Sequence, residues 1–278
     1  MNHLRIAIIL LFAFSTSTII AQSCCDDPNK KFADLADAPS FRGDHELPRD
    51  VNFKPNKGHM ITFDCPEGAP SNAYLVPAKV ESSNWLIVIH EWWGLNDNIK
   101  AEAEKLWKDL VNVNVLALDM YDGNVATTRE EASQYMQGMS KERAFSIISG
   151  MNNYVGKDAQ ICTIGWCFGG GWSLQTAIEA GDRTVGCVMY YGMPDEDITR
   201  LKNLKADVLG IFASKDEWIN PEVVAQFEMN MNAANVGLQV HSYDADHAFA
   251  NPSSPRYDEA AAQEAYGITL AYLVEKFK

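Results

Sequence analysis

The chain has 278 residues, 47% of them apolar and seven of them Trp, which fits a folded domain with a sizeable core and excludes a disordered chain. A formal charge of −14 argues against recognition of nucleic acid through a basic face and against attraction to an anionic membrane surface. Six cysteines are too few at this length for a disulfide scaffold.

The first 22 residues, MNHLRIAIILLFAFSTSTIIAQ, place His3 and Arg5 ahead of an apolar run from Ile6 to Phe14 and end in small and polar residues. That is the layout of a secretory leader spanning 1–21, and the apolar run is too short to be a stable transmembrane segment. Cleavage after Ala21 predicts an exported protein, periplasmic or extracellular. Lipid attachment at Cys24 is a weaker expectation, because no large apolar residue stands three positions before it. In an oxidising compartment Cys24, Cys25 and Cys65 could pair among themselves, and sequence selects no connectivity. Cys162 and Cys187 lie within apolar runs and read as inert core residues. Residues 22–50 are polar, carry Pro28, Pro39 and Pro48, and read as an arm or linker with one short helix, outside the main core.

From 51 to 278 the pattern is that of one domain in which short apolar runs alternate with amphipathic segments. Strands are predicted at 59–65 and 73–77, close enough for an antiparallel hairpin, and then at 85–90. A helix follows from Asp97 to Val111, with Ile99, Leu106 and Leu110 on one side. After a strand at 113–119, Thr128-Arg-Glu-Glu131 matches a capping box and opens the next helix. Further helices are predicted at 140–155, 169–180, 221–234 and 256–277, and strands at 159–165, 185–192, 207–213 and 238–244. Pro221 sits in a first turn, where it is tolerated. The alternation predicts an α/β fold, a mostly parallel central sheet with helices on both faces. Chemistry in such sheets gathers beyond the carboxyl ends of the strands. There the sequence places His90-Glu91-Trp92-Trp93, Asp119, Trp166-Cys167, Lys215-Asp216 and Asp246-His247.

The stretch GWCFGG has the form glycine, any residue, nucleophile, any residue, glycine, with Gly165 and Gly169 flanking Cys167. A sharp strand-to-helix turn of this kind lifts the thiol over the sheet at a helix N-terminus, where thiolate and oxyanion are favoured. A dinucleotide loop does not fit, because Cys167 occupies the second glycine position. Neither does a zinc site by spacing: Cys162 and Cys167 have no histidines nearby in sequence, and His90-Glu91 is followed by Gly94 where a second histidine would be needed. No metal or organic cofactor is expected. For the base, His247 follows the last strand directly, whereas His45 lies in the arm and His59 and His241 within strands. Asp216 follows the preceding strand. The chain order nucleophile, acid, histidine is that of α/β hydrolases.

The combination of GWCFGG, KDEWI and DADHAFANP, with VIHEWWGLN upstream, resembles the dienelactone hydrolase family from roughly residue 55 to the end. The resemblance implies an α/β-hydrolase fold without a large lid domain and a Cys167–His247–Asp216 triad. It also implies that Glu91 pairs with the resting thiol and helps generate the thiolate when substrate arrives, and partial desolvation beside Trp92 and Trp93 would raise its pKa. The backbone N–H groups of Trp92 and Phe168 are then the expected oxyanion donors. Two arginines that hold the substrate carboxylate in this family are missing, and Gly123 and Asn251 stand at the matching places. The implied activity is hydrolysis of a small-molecule carboxylic ester or lactone through an acyl-thioester, with its substrate left open. Trp93, Tyr121, Trp166, Phe249 and Asn251 are candidate pocket residues. The rival expectation is a non-catalytic binding or surface protein on the same fold, since fold alone does not fix function.

Overall fold

Eight apolar runs become the eight strands of one sheet in the computed structural model, which describes residues 30–49 and 51–278. The leader-like segment, Cys24 and Cys25 lie outside the described residues. The strands are β1 (His59–Phe63), β2 (Ser71–Val76), β3 (Asn84–Ile89), β4 (Asn114–Leu118), β5 (Gln160–Trp166), β6 (Thr184–Tyr190), β7 (Val208–Ala213) and β8 (Leu238–Tyr243). Their order across the sheet is β1-β2-β4-β3-β5-β6-β7-β8. β1 runs antiparallel to β2, β2 antiparallel to β4, and every later pairing is parallel. Strands β4 and β7 are buried along their whole length, as parallel strands covered on two faces must be, while the edge strands β1 and β8 are partly exposed.

The helices are α1 (Lys30–Leu35), α2 (Pro39–Asp44), α3 (Asp97–Asp109), α4 (Arg129–Gly138), α5 (Lys141–Val155), α6 (Phe168–Ala180), α7 (Ile198–Leu201), α8 (Pro221–Ala234) and α9 (Glu259–Lys276). They cover both faces of the sheet: α3 packs on β4 and β2, α6 on β5 and β6, and α9 on β6 and β7. Helix α3 is capped one residue before Asp97, by the Asn96 side chain accepting from Ile99 N at 3.1 Å. The expected capping box is half made. Thr128 accepts from Glu131 N, but the Glu131 carboxylate reaches Thr127 instead of Thr128. Among the described residues no helix is long and apolar enough to cross a membrane, and Cys65 is a free thiol.

The arm departs from expectation. Far from lying outside the core, its described part is packed into it: Phe32, Ala36 and Phe41 are buried. The Phe41 ring sits edge-on to Phe32, Trp92 and Trp218 at 5.4, 5.6 and 5.5 Å between centroids. Helix α4 holds the arm from one side. Arg129 Nε donates to His45 O at 2.8 Å, Ser133 Oγ to Ala36 O at 3.1 Å, and Gln137 Nε2 to Asp37 Oδ1 at 2.8 Å. Farther along, Arg49 N donates to Ser253 O at 2.8 Å. Two six-residue helices carry too few apolar residues to show a period, so the sequence gives no packing signal there.

Because Phe41 is the arm's deepest anchor, Phe41→Ala is expected to cost about 3 kcal/mol of local stability. Native-state hydrogen exchange should then quicken across residues 36–45 while β5 and β6 stay protected. Uniform loss across the sheet would show instead that the arm is part of the global folding unit.

Candidate active site

Strand β5 ends at Trp166 and helix α6 begins at Phe168, so the single residue between them makes the whole turn. That residue is Cys167, at φ 57°, ψ −121°, a backbone region in which a side chain is strained. Glycine is required on either side. A Cβ on Gly165 would lie 2.0 Å from Gly169 O, and one on Gly169 would lie 2.3 Å from Ile89 O. The turn is further fixed by Cys167 N donating to Tyr190 O at 3.0 Å. The start of α6 favours a thiolate here, with Phe168 N–H directed at the sulfur. Burial outweighs it: removal from water, helped by the charge of Glu91, pushes the Cys167 thiol above its ordinary pKa.

Asp216 and His247 are brought together from the ends of β7 and β8. His247 Nδ1 donates to Asp216 Oδ2 at 2.5 Å. The other carboxylate oxygen, Oδ1, accepts from Trp218 N and Ile219 N, both at 2.9 Å. Burial alone would raise the Asp216 pKa, but His247 and these two N–H groups hold it below the ordinary value. At His247 burial disfavours the imidazolium, yet Asp216 and the neighbouring thiolate outweigh it and hold the ring well above the usual histidine value. Thiolate and imidazolium thus each favour the charged form of the other. His247 Nε2 is buried and has no hydrogen-bond partner among the described residues.

Glu91 lies just past β3, 5% exposed. Burial pushes its carboxyl up to about 7, against the opposing pull of His247 and of the bond from Asn251. Its Oε2 accepts from Asn251 Nδ2 at 2.5 Å, while Oε1 is buried with no donor among the described residues. Asn251 is itself held through Oδ1 by Asn98 Nδ2, Ser253 N and Ser253 Oγ.

Besides His247, a second histidine meets the thiol: His45, from the arm. Its Nε2 lies 3.6 Å from Cys167 Sγ. Its Nδ1 is 2.8 Å from Phe41 O, and a carbonyl can only accept, so Nδ1 carries the proton and Nε2 is left as an acceptor. Complete burial, then the nearby His247, push His45 down to about 3 and keep it neutral. The ring is wedged at a tilt between Phe41 at 4.1 Å and Trp92 at 4.5 Å, and it lies 5.0 Å from His247. The thiol thus rests on a base too weak to ionise it, and the expected Glu91–thiol hydrogen bond is replaced by Glu91–Asn251. Nothing in the sequence marks His45 for this place, because an arm that reads as a linker offers no reason to set its histidine over the sheet. The ligand atoms of His45, Cys167 and His247 all lie within 4.8 Å of one another.

The sequence matches the dienelactone hydrolase family over residues 72–277. The chain belongs to the dienelactone hydrolase family. It is 28% identical over 236 residues to "Protein usf" of Aquifex pyrophilus, an alignment covering 78% of this chain and 98% of that protein. It is 23% identical over 225 residues to carboxymethylenebutenolidase 1 of Cupriavidus pinatubonensis, covering 74% and 92%. Among solved structures, a dienelactone hydrolase-like promiscuous phosphotriesterase from metagenomic libraries superposes with a TM-score of 0.68 at 21% identity, covering 80% of this chain and all of that one. The arm residues 30–49 precede the stretch that matches the dienelactone hydrolase family.

A small cavity of about 20 Å³ lies beside Cys167, walled by Glu91, Trp92, Trp93 and Asn251 on the hydrolase side and by His45 and Pro48 of the arm on the other. Of the remaining candidate pocket residues, Trp166 lines a second small cavity behind Glu91 and Asn251. Tyr121 and Phe249 are packed in the core, Tyr121 against His90 and Phe168, Phe249 against Tyr191 and Tyr243. His90 is structural: Nδ1 donates to Glu91 O at 2.6 Å and Nε2 accepts from Met120 N at 3.1 Å, so both ring nitrogens are used. Asp119 is likewise occupied, accepting from Tyr121 N and from Gly123 N. At Gly123 φ is +89°, which suits glycine and strains an arginine.

Glu91 is neutral below about pH 7 and charged above it, so its effect on the thiol is confined to the alkaline side. Glu91→Gln removes that charge. Alkylation of Cys167 by iodoacetamide, followed by peptide mass spectrometry, should rise roughly threefold or more above about pH 8 and stay unchanged below about pH 6. Superimposable profiles across the range would overturn this assignment.

Proposed function

We propose that the protein hydrolyses a small-molecule carboxylic ester or lactone through a Cys167–His247–Asp216 triad. The observation that carries this reading is the 2.5 Å His247–Asp216 bond, which leaves a buried, unpartnered Nε2 on the side of the Cys167 thiol. The family, and relatives named carboxymethylenebutenolidase, support the reaction class.

In the first half-reaction His247 Nε2 takes the thiol proton and Cys167 Sγ attacks the carbonyl carbon. The C=O pair moves onto oxygen, where the N–H groups of Phe168 and Trp92 are the proposed donors. Collapse expels the alcohol, protonated by His247, and leaves an acyl-thioester on Cys167. In the second, His247 takes a proton from water, the resulting hydroxide attacks the thioester, and the carboxylic acid departs as the thiol is restored. Asp216 stays ionised throughout, fixes the tautomer with Nδ1 protonated, and stabilises the imidazolium.

The substrate is proposed to lack the carboxylate that the absent arginines would hold. Asn251 is committed to Glu91, and among the described residues no arginine lines the cavity beside Cys167. An anionic lactone would there meet a buried acid with no cation to offset it. The leader-like residues 1–21 support export of the enzyme.

A panel of short-chain aryl esters and neutral lactones tests the proposal. Cys167→Ala and His247→Ala should each lower kcat/KM by at least about 10⁴-fold, and Asp216→Asn by about 10⁴-fold. Activity undiminished in Cys167→Ala would sink the mechanism. A wild-type protein that turns over no ester or lactone and forms no acyl adduct by intact mass would favour the binding-protein reading.

A further inference from the structure

We propose that His45, Cys167 and His247 form a three-ligand site for a zinc ion, and that zinc bound there holds the enzyme inactive with its arm closed. The binding stands on geometry alone, whereas the inhibitory consequence rests on the hydrolase reading above.

The donor set is one thiolate and two imidazoles, a combination typical of zinc. A tetrahedral ion with Zn–S about 2.3 Å and Zn–N about 2.0 Å sets sulfur and nitrogen about 3.5 Å apart. Cys167 Sγ and His45 Nε2 already stand at 3.6 Å, and all three ligand atoms lie within 4.8 Å of one another. Modest contraction of the His247 side completes the set.

The groups behind the ligands agree. Histidines that bind metal almost always donate their other ring N–H to a carbonyl or carboxylate, which fixes the tautomer and aims the free lone pair. Both histidines here do so: His45 Nδ1 to Phe41 O at 2.8 Å, and His247 Nδ1 to Asp216 Oδ2 at 2.5 Å. His247 is 4% exposed, and its Nε2 is buried with no partner among the described residues. Glu91, whose Oε1 is buried and has no donor among the described residues, lines the adjoining cavity and faces the ion with an unused oxygen lone pair. That cavity, about 20 Å³, suits a single water as fourth ligand.

Coordination forms one Zn–S and two Zn–N bonds and releases the Cys167 thiol proton to solvent, with no change of oxidation state. It consumes both the nucleophile and the lone pair of the general base. It also ties α2 to the end of β5 through His45, so zinc and an ester require opposite positions of the arm. No sequence spacing announces the site, because its ligands come from the arm, the β5–α6 turn and the loop after β8, with Cys167 standing 122 positions after His45.

The test uses the full chain in a Cys24→Ser, Cys25→Ser, Cys65→Ser background, so that Cys167 is the reactive thiol nearest solvent. Titration with Co²⁺ should give, at one equivalent, a sulfur-to-cobalt charge-transfer band and intense ligand-field bands of a tetrahedral ion, all removed by Zn²⁺. Cys167→Ala should abolish the charge-transfer band, and His45→Ala should weaken Zn²⁺ binding by at least about tenfold, with folding checked by circular dichroism. His247→Gln serves as the second ligand variant should His45→Ala fail to fold. Binding of unchanged strength in folded Cys167→Ala, or no one-equivalent site in the parent, overturns the proposal. Ester turnover by the metal-free parent is scored separately: turnover without zinc binding rejects the site alone, and zinc binding without turnover rejects only its inhibitory role and the hydrolase reading.

Discussion

Cys167 sits at φ 57°, ψ −121° because β5 must turn into α6 within one residue, and much else follows from that constraint. The turn is possible only where Gly165 and Gly169 let backbone pass backbone at distances no Cβ would survive. It brings α6 hard against β5 and β3, which sets where the ends of β3, β7 and β8 can deliver Glu91, Asp216 and His247. Strain held in this way persists when the surrounding structure over-determines it. Here the bond from Cys167 N to Tyr190 O and the packing of α6 over the parallel strands supply that determination.

Around this fixed point the charges are arranged in opposition. Asp216 is held ionised by His247 and two backbone N–H groups, and it in turn makes His247 a strong base. Glu91 and His45 are pushed the other way by burial, toward their neutral forms. One side of Cys167 thus faces a pair built to carry charge, and the other faces a pair built to avoid it. The thiol's position between them decides whether it is a nucleophile or a small buried side chain.

The sheet was legible because each parallel strand is a short apolar run bounded by turns, and all eight runs became strands within a few residues of their expected limits. The post-strand residues were legible for the same reason, since topology alone sends Glu91, Cys167, Asp216 and His247 to one end of the sheet. What the sequence hid was pairing at the level of individual atoms. Nothing in DADHAFANP says that Asn251 would engage Glu91, because that contact depends on two loops 160 residues apart. The arm was hidden more thoroughly. Its burial depends on Phe32 and Phe41 finding a niche beside Trp92 and Trp218, and single aromatics in short helices have no periodicity to betray them.

The arm's closeness to Cys167 has a kinetic meaning. The cavity of about 20 Å³ beside the thiol is sized for one water, so under the proposed function an ester that reaches Cys167 needs an open form in which His45 and Pro48 have moved aside. The apparent affinity for any ester is then its intrinsic affinity scaled by the fraction of molecules in that open form. Every bond that fastens the arm, from Arg129 to His45 O and from Arg49 to Ser253 O, lowers that fraction. Residues that never touch a substrate therefore share in setting how readily it is taken up.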